Sequence, residues 1–145
     1  MDEASITQYI MDTFDGVETV TMPGATFFFY GPDRMLPFTT LVNNDDFDQV
    51  SNLSRPDVFR LNIGIKKQTF LSLLGTHGDA GGSYDYTTLD QLMSHPDYGS
   101  MNWVCVLNPG AETFETVVRP LLAEAHNIAF RNHTNREARK QAAAE

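Results

Sequence analysis

Apolar and polar residues alternate between Asp57 and Ile65. Because successive side chains of a strand point to opposite faces of a sheet, this alternation predicts a β-strand over residues 58–65. The apolar side of the strand carries Phe59, Leu61, Ile63 and Ile65. The other side carries Arg60 and Asn62, so the pattern predicts one face buried in the core and one open face that bears a guanidinium group.

The spacing of apolar residues divides the rest of the chain into helices and strands. Helices are predicted over residues 4–15 and 66–74, from Thr88 to before Pro96, and after a last strand over residues 103–107. Further strands are predicted over residues 17–22, 25–30 and 38–43, separated by glycine- and proline-containing turns. Thr87 and Asp90 have the spacing of a capping box for the short helix. Pro120 predicts a kink in the closing helix, or a short helix followed by a longer one.

The order of these elements predicts an α+β fold. Strands cluster early and helices late, which favours a mostly antiparallel sheet with helices packed on one face over a regularly alternating parallel fold. No repeat or linker divides the chain. We therefore expect a single domain over residues 1–134, followed by a polar tail over residues 135–145 that frays.

Charge is distributed unevenly along the chain. The formal net charge is -9; residues 1–118 hold five Lys or Arg against sixteen Asp or Glu, and residues 119–145 hold five against three. Nucleic-acid backbones are bound by clustered Lys and Arg, so the acidic body argues against nucleic acid as the main partner. The sequence still allows a contact between nucleic acid and the slightly basic tail.

Cysteine content and hydropathy indicate a cytoplasmic protein without a disulfide. Cys105 is the only cysteine, and it lies in the apolar run 103–107, where we expect a small buried side chain rather than a nucleophile. The acidic, polar start is unlike a secretory signal, and no apolar run has the length that spans a bilayer. We therefore expect a soluble protein that does not enter a membrane.

Three segments of the chain carry a resemblance to known families. Residues 59–65, His95-Pro96 and residues 103–109 together resemble a bacterial family of single-domain proteins of unknown function, over nearly the whole chain. The layout of a strand and helix, a Tyr-Gly loop, a Trp-bearing strand and a closing helix is also similar, more distantly, to the MmcQ/YjbR proteins. That likeness implies a double-wing α+β fold related to the CyaY shape, and a DNA-binding role has been suggested for some members. Neither family brings a catalytic motif.

The polar face of strand 58–65 is the first candidate site. Arg60, beside Asn62, could hold a carboxylate or phosphate through paired hydrogen bonds. In so acidic a chain, the alternative is that Arg60 pairs with an acid of the protein itself, such as Asp45 or Asp57. Both interpretations stay open from the sequence.

The turn before the last strand is the second candidate. His95, Tyr98 and Trp103 gather polar and aromatic groups at a loop, and Tyr30 ends a strand that we expect beside the same open face. The alternative for His95 is a cap or turn role at the end of the short helix. The ligand-binding candidates are therefore Arg60, Asn62, Tyr30, Trp103, His95 and Tyr98.

Other chemistries find less support in the sequence. His77, Asp79, Asp85 and His95 could ligate a metal, but their spacing matches no metal motif, and the glycine-rich loop 76–86 is typical of a solvated surface loop. Asp45, Asp46 and Asp48 are interpreted as turn residues. No nucleophile elbow or nucleotide fingerprint occurs. We predict no metal site, no cofactor and no catalytic residue.

Three functions follow as hypotheses. The first is a binding or accessory domain whose open sheet face receives a small anionic or aromatic ligand, or a protein partner. The second is a small enzyme that uses the His95 loop as acid or base. The third is a regulator that binds DNA through the tail, which the acidic body disfavours.

Overall fold

Six strands form one antiparallel sheet in the computed structural model, which describes residues 1–32, 34–75 and 84–144. The strands are β1 (Val17–Met22), β2 (Ala25–Tyr30), β3 (Thr39–Val42), β4 (Arg60–Gly64), β5 (Met93–Ser94) and β6 (Trp103–Leu107). Their order across the sheet is β1-β2-β3-β4-β6-β5, and every neighbouring pair is antiparallel. The predicted antiparallel α+β sheet is therefore confirmed.

The helices pack on one face of this sheet. They are α1 (Glu3–Thr13), α2 (Lys67–Leu74), a short α3 (Ala111–Thr113) and α4 (Arg119–Ala144). Their buried residues join one apolar cluster with the inward side chains of the strands; its members include Ile6, Ile10, Phe28, Leu61, Ile63, Phe70, Val104, Val106, Val118 and Leu122. The predicted burial of the apolar side of β4 is confirmed, since Leu61 and Ile63 are fully buried.

Loops cover only part of the opposite face. A second, smaller cluster forms where the chain before β4 and the chain before β5 pack over the β5–β6 end of the sheet; it consists of Val42, Leu53, Tyr86, Met93, Cys105 and Leu107. No helical residue belongs to this cluster among those described. The β1–β4 part of the face is thus left for a groove.

The prediction of a short helix from Thr88 is wrong. This segment instead joins the sheet edge: Asp90 N donates to Leu107 O at 2.6 Å, and Met93 lies opposite Cys105 in β5. Asp90 has a φ of 60°, and its carboxylate accepts a hydrogen bond from Gly110 N at 2.7 Å. The free edge of β6 therefore takes up the backbone groups that a local helix would have paired internally.

The closing helix does not divide into two separate helices at Pro120, because the backbone stays helical from Ala111 to Ala144 and only its hydrogen-bonding pattern changes just before the proline. The short α3 leads into a π-helical turn, Phe114–Val118, and α4 begins at Arg119, one residue before the proline. The wider turn accommodates a residue that has no backbone N–H to donate. α4 continues through residues 135–144, with exposed side chains over most of that length, so the domain limit at residue 134 stays a prediction.

None of the helices in the described ranges combines the length and the apolar character needed to cross a membrane.

Candidate functional site

A groove of about 600 Å³ lies on the sheet face that the helices leave uncovered. The strand register builds its floor, because Phe27, Thr40 and Asn62 lie opposite one another on β2, β3 and β4 and share this face. Arg60 and Trp103 line the groove on either side of that row, and His95 also lines it. Five of the six sequence-predicted residues therefore meet here: Arg60, Asn62, Trp103, His95 and Tyr98.

Exposed apolar side chains surround the mouth of the groove. Met35 and Leu36, on the loop between β2 and β3, are 76% and 72% exposed, and Tyr98 and Met101 are also more than half exposed. Phe47 packs edge-on against Phe27 with ring centroids 6.3 Å apart. The groove thus has an apolar rim above a floor that contains polar groups.

The guanidinium of Arg60 is held by the protein itself. Its Nη1 and Nη2 donate to the two carboxylate oxygens of Asp48 at 3.0 and 2.6 Å, and Nη1 also donates to Ser51 Oγ at 2.9 Å. Nε donates to Asn62 Oδ1 at 3.0 Å. Arg60 is only 1% exposed. Of the two interpretations of Arg60, the structure therefore supports pairing with an acid of the protein itself over a guanidinium that is free for a ligand.

The partner of Arg60 is neither of the acids named from the sequence. Asp45 instead accepts a hydrogen bond from Leu53 N at 2.8 Å, which folds the 45–53 loop back and brings Asp48 to the groove. Asp48 is therefore more than the turn residue that the sequence suggested. Burial acts to raise the pKa of Asp48, but its hydrogen bonds and attraction to Arg60 outweigh burial, and the pKa lies below its ordinary value.

Asn62 continues the polar floor across the sheet. Its Nδ2 donates to Thr40 Oγ1 at 2.9 Å, while its Oδ1 accepts from Arg60. All three side chains are buried. A continuous network of hydrogen bonds therefore runs inside the protein from Asp48 through Arg60 and Asn62 to Thr40.

His95 is fixed by its own turn. Its Nδ1 accepts hydrogen bonds from Asp97 N at 3.0 Å and Tyr98 N at 3.1 Å. Burial, together with the positive charge of Arg60, lowers the pKa of His95 from 6.5 to about 4, against a smaller opposite effect of Asp48. At neutral pH the ring is therefore uncharged and carries its proton on Nε2.

Trp103 lies over β4 because Gly64 has no side chain. A Cβ at Gly64 would lie 2.8 Å from Trp103 Cε2. The indole in turn meets the His95 ring edge-on, with centroids 6.5 Å apart, and Tyr98 lies 5.0 Å from that imidazole. Three aromatic rings thus form one wall of the groove.

Sequence comparison places the chain in a known family. A model of a family of unknown function, DUF6194, matches residues 1–138. The chain belongs to the DUF6194 family. Neither the curated proteins nor the solved structures contain a significant match to it.

Tyr30 of this DUF6194 protein lies away from the groove, which corrects the expectation that it borders the open face. Its ring meets His126, Phe130 and His133 of α4, with centroids 5.3 to 5.6 Å apart. Tyr30 follows Phe29 by one residue, so the strand period sends it to the helix-covered side. Phe27 and Phe29 are the β2 aromatics that line the groove.

Nucleophilic and metal chemistry have little basis in the part of this DUF6194 chain that the structure describes. Cys105 is fully buried, as predicted, and burial raises the pKa of its thiol to about 12. No cluster of three or more metal-ligating side chains occurs in residues 1–32, 34–75 and 84–144. His77 and Asp79, and most of the 76–86 loop, lie outside the described residues. Asp85 bonds to Thr87 instead.

A second cavity of similar volume lies near the start of α1. Arg55 lines it, but its guanidinium donates to the backbone oxygens of Ser51, Asn52 and Thr87. None of the six predicted site residues borders this cavity. The groove over β1–β4 is therefore the better candidate site of this DUF6194 protein.

Asp48 and the rim residues Met35 and Leu36 were not predicted as site residues from the sequence. An available signal was the adjacent apolar pair in an otherwise polar Gly-Pro loop, because exposed apolar side chains that gather together mark binding sites.

Proposed function

We propose that this protein is a binding domain that takes a small, uncharged and mainly apolar molecule in the groove. The observation that carries the proposal is the groove itself: an apolar rim above a floor whose charges already neutralise each other. Its volume of about 600 Å³ falls within the range of roughly 300–1,000 Å³ typical of small-molecule sites.

The ion pair on the floor argues against an anionic ligand. Arg60 makes four hydrogen bonds to Asp48, Ser51 and Asn62, so a ligand carboxylate that bound Arg60 would have to displace Asp48 or approach it. Either route leaves a buried charge without its partner, which is costly in a site of low polarity. We therefore narrow the expectation of an anionic or aromatic ligand to an uncharged one.

The rim supports an apolar ligand body. Met35, Leu36, Met101, Tyr98 and Phe47 expose large apolar surface around one opening. A contiguous exposed patch of this kind is typical of a binding surface, whereas single exposed apolar residues are ordinary. A ligand that covers these side chains would gain the free energy of removing them from water.

The state of His95 supports binding rather than acid–base catalysis. A general base needs a free lone pair on Nε2, and therefore the proton on Nδ1, but Nδ1 accepts two backbone hydrogen bonds. A general acid needs the charged ring, which is scarce at neutral pH because the pKa is about 4. Both forms that a catalyst would require are therefore scarce at neutral pH.

Trp103 provides a direct test, because it is the only tryptophan and it lines the groove. We suggest titration with anilinonaphthalene, an uncharged fluorescent probe, and with its sulfonate, which differs by one negative charge. The expected result is energy transfer from Trp103 to the bound probe, with about tenfold weaker binding of the sulfonate.

Two adjacent substitutions provide the matched control. Val20 lines the groove, and Thr21, the next residue of the edge strand, points to the other face and is exposed. Val20→Asp should weaken anilinonaphthalene binding by about tenfold because it adds an unpaired charge to the groove, whereas Thr21→Asp should not. Equal binding by the two variants, or tighter binding of the sulfonate, would contradict the proposal.

We also propose a cytoplasmic location, supported by the acidic composition and by the buried free thiol of Cys105; cell fractionation tests it. A bacterial origin and the distant likeness to the MmcQ/YjbR proteins stay predictions.

A further inference from the structure

His95 brings a hydrogen-bond donor to the groove that the protein does not use. Both backbone hydrogen bonds to its side chain reach Nδ1, so the proton of the neutral ring is on Nε2. Nε2 makes no hydrogen bond to an atom of residues 1–32, 34–75 and 84–144, and it is not among the buried side-chain atoms that lack a partner, so it reaches the groove. The residue is only 5% exposed, and the ring lines the groove. A donor that reaches the groove from an otherwise buried residue leaves a hydrogen bond for a ligand to complete.

The direction of this donor is fixed by the backbone around it. His95 N donates to Trp103 O at 2.9 Å, and His95 O accepts from Gly99 N at 3.1 Å. With Nδ1 held as well, the imidazole has little freedom to rotate. A ligand that meets it does not have to order the ring first, which lowers the entropic cost of binding.

The neighbouring polar groups of the floor are already engaged. Asn62 bonds to Arg60 and Thr40, and the two Arg60 Nη atoms bond to Asp48 and Ser51. A ligand can thus satisfy the donor of His95 without breaking a bond within the protein.

We propose that the ligand carries an uncharged hydrogen-bond acceptor, such as the carbonyl of a ketone, ester or amide, that binds His95 Nε2. This inference rests on the proposed function of the groove and names the polar group of its ligand. The carbonyl lies at the His95 end of the groove, and the apolar body lies toward Met35 and Leu36. A ligand without an acceptor leaves the donor unpaired and is disfavoured for that reason.

Two competitors with the same number of non-hydrogen atoms test the inference by displacing anilinonaphthalene. Acetylnaphthalene has a carbonyl acceptor, and isopropylnaphthalene, substituted at the same ring carbon, has none. Both competitors are measured on wild type and on the His95→Asn variant. The Asn amide oxygen can replace Nδ1 as the acceptor for Asp97 N and Tyr98 N, but Asn does not restore the Nε2 donor. The ratio of the two affinities, compared between wild type and variant, cancels the difference in hydrophobicity between the competitors.

We expect the preference for acetylnaphthalene to fall by about threefold to tenfold in His95→Asn, the equivalent of one hydrogen bond. An unchanged ratio, with both competitors still displacing the probe, would overturn the inference while the proposed function stands. Failure of anilinonaphthalene to bind wild type would instead overturn the proposed function.

A measurement on the wild-type protein covers the case in which the variant does not fold. In protein labelled with ¹⁵N-histidine, the Nε2–H resonance of His95 should move on addition of acetylnaphthalene and move less with isopropylnaphthalene. Equal shifts with the two compounds would overturn the inference.

Discussion

Arg60 and Asp48 form a two-point ion pair on the floor of the groove, with N–O distances of 3.0 and 2.6 Å. The side chain of Arg60 is 2% exposed, and that of Asp48 is 15% exposed. The pair joins the loop before β4 to the centre of the sheet. It also removes the positive charge that would otherwise have made this face an anion site.

Removal of the Asp48 carboxylate should destabilise the protein strongly. Asp48→Ala leaves the guanidinium of Arg60 buried without its counter-ion, so we expect the free energy of unfolding to fall by about 3 kcal/mol. Urea denaturation measures the change. Asp46→Ala is the matched control, because Asp46 is exposed on the same loop, and it should cost no more than about 0.5 kcal/mol. Equal midpoints for the two variants would show that the pair contributes little.

Stability should decline in mild acid because of His95. The pKa of this residue is about 4 in the folded protein, against 6.5 ordinarily, so between these values the unfolded state binds more protons than the folded state. The free energy of unfolding therefore falls as the pH drops from 6.5 to 4, by about 3 kcal/mol from this group. Denaturation at a series of pH values measures the slope.

The His95→Asn variant isolates that contribution. Asn does not titrate, so the free energy of unfolding of the variant should depend less steeply on pH in the same range. Asp48 and the other carboxylates affect wild type and variant alike. Parallel pH profiles for wild type and variant would be inconsistent with a buried neutral His95.

A side chain at Gly64 should displace Trp103. The Cβ introduced by Gly64→Ala would lie 2.8 Å from Trp103 Cε2, so the indole has to move and the fluorescence maximum of the only tryptophan should shift. Overpacking of this kind costs about 1–3 kcal/mol. We also expect weaker anilinonaphthalene binding, because Trp103 forms part of the groove wall.

Gly75→Ala provides the comparison for that experiment. Gly75 has a φ of 70°, and a methyl group added there would have no atom of the described residues within 4 Å, so Ala should cost about 1 kcal/mol through backbone strain alone. Its tryptophan emission should equal that of wild type. An unshifted emission maximum in Gly64→Ala would contradict the contact between Gly64 and Trp103.

The groove was only partly predictable from the sequence. Alternation placed Arg60 and Asn62 on the face opposite Leu61, and the structure keeps them there. The same period puts Tyr30 and Phe29 on opposite faces of β2. Because aromatic residues occupy both faces of this strand, the sequence did not indicate which of them the helices would cover. His95 reaches the groove through the pairing of β5 with β6, which the predicted short helix did not anticipate.

Local periodicity in the sequence by itself determined most strands and helices, the antiparallel α+β class and the buried side of β4, because these depend on neighbours within a few residues. The tertiary structure alone decided that Asp48 neutralises Arg60, that the 88–95 segment completes a sheet edge, and that His95 and Trp103 share a wall. Such contacts depend on how loops close over the sheet, and many acids in this chain carry the same charge as Asp48. Only three-dimensional packing selects among them.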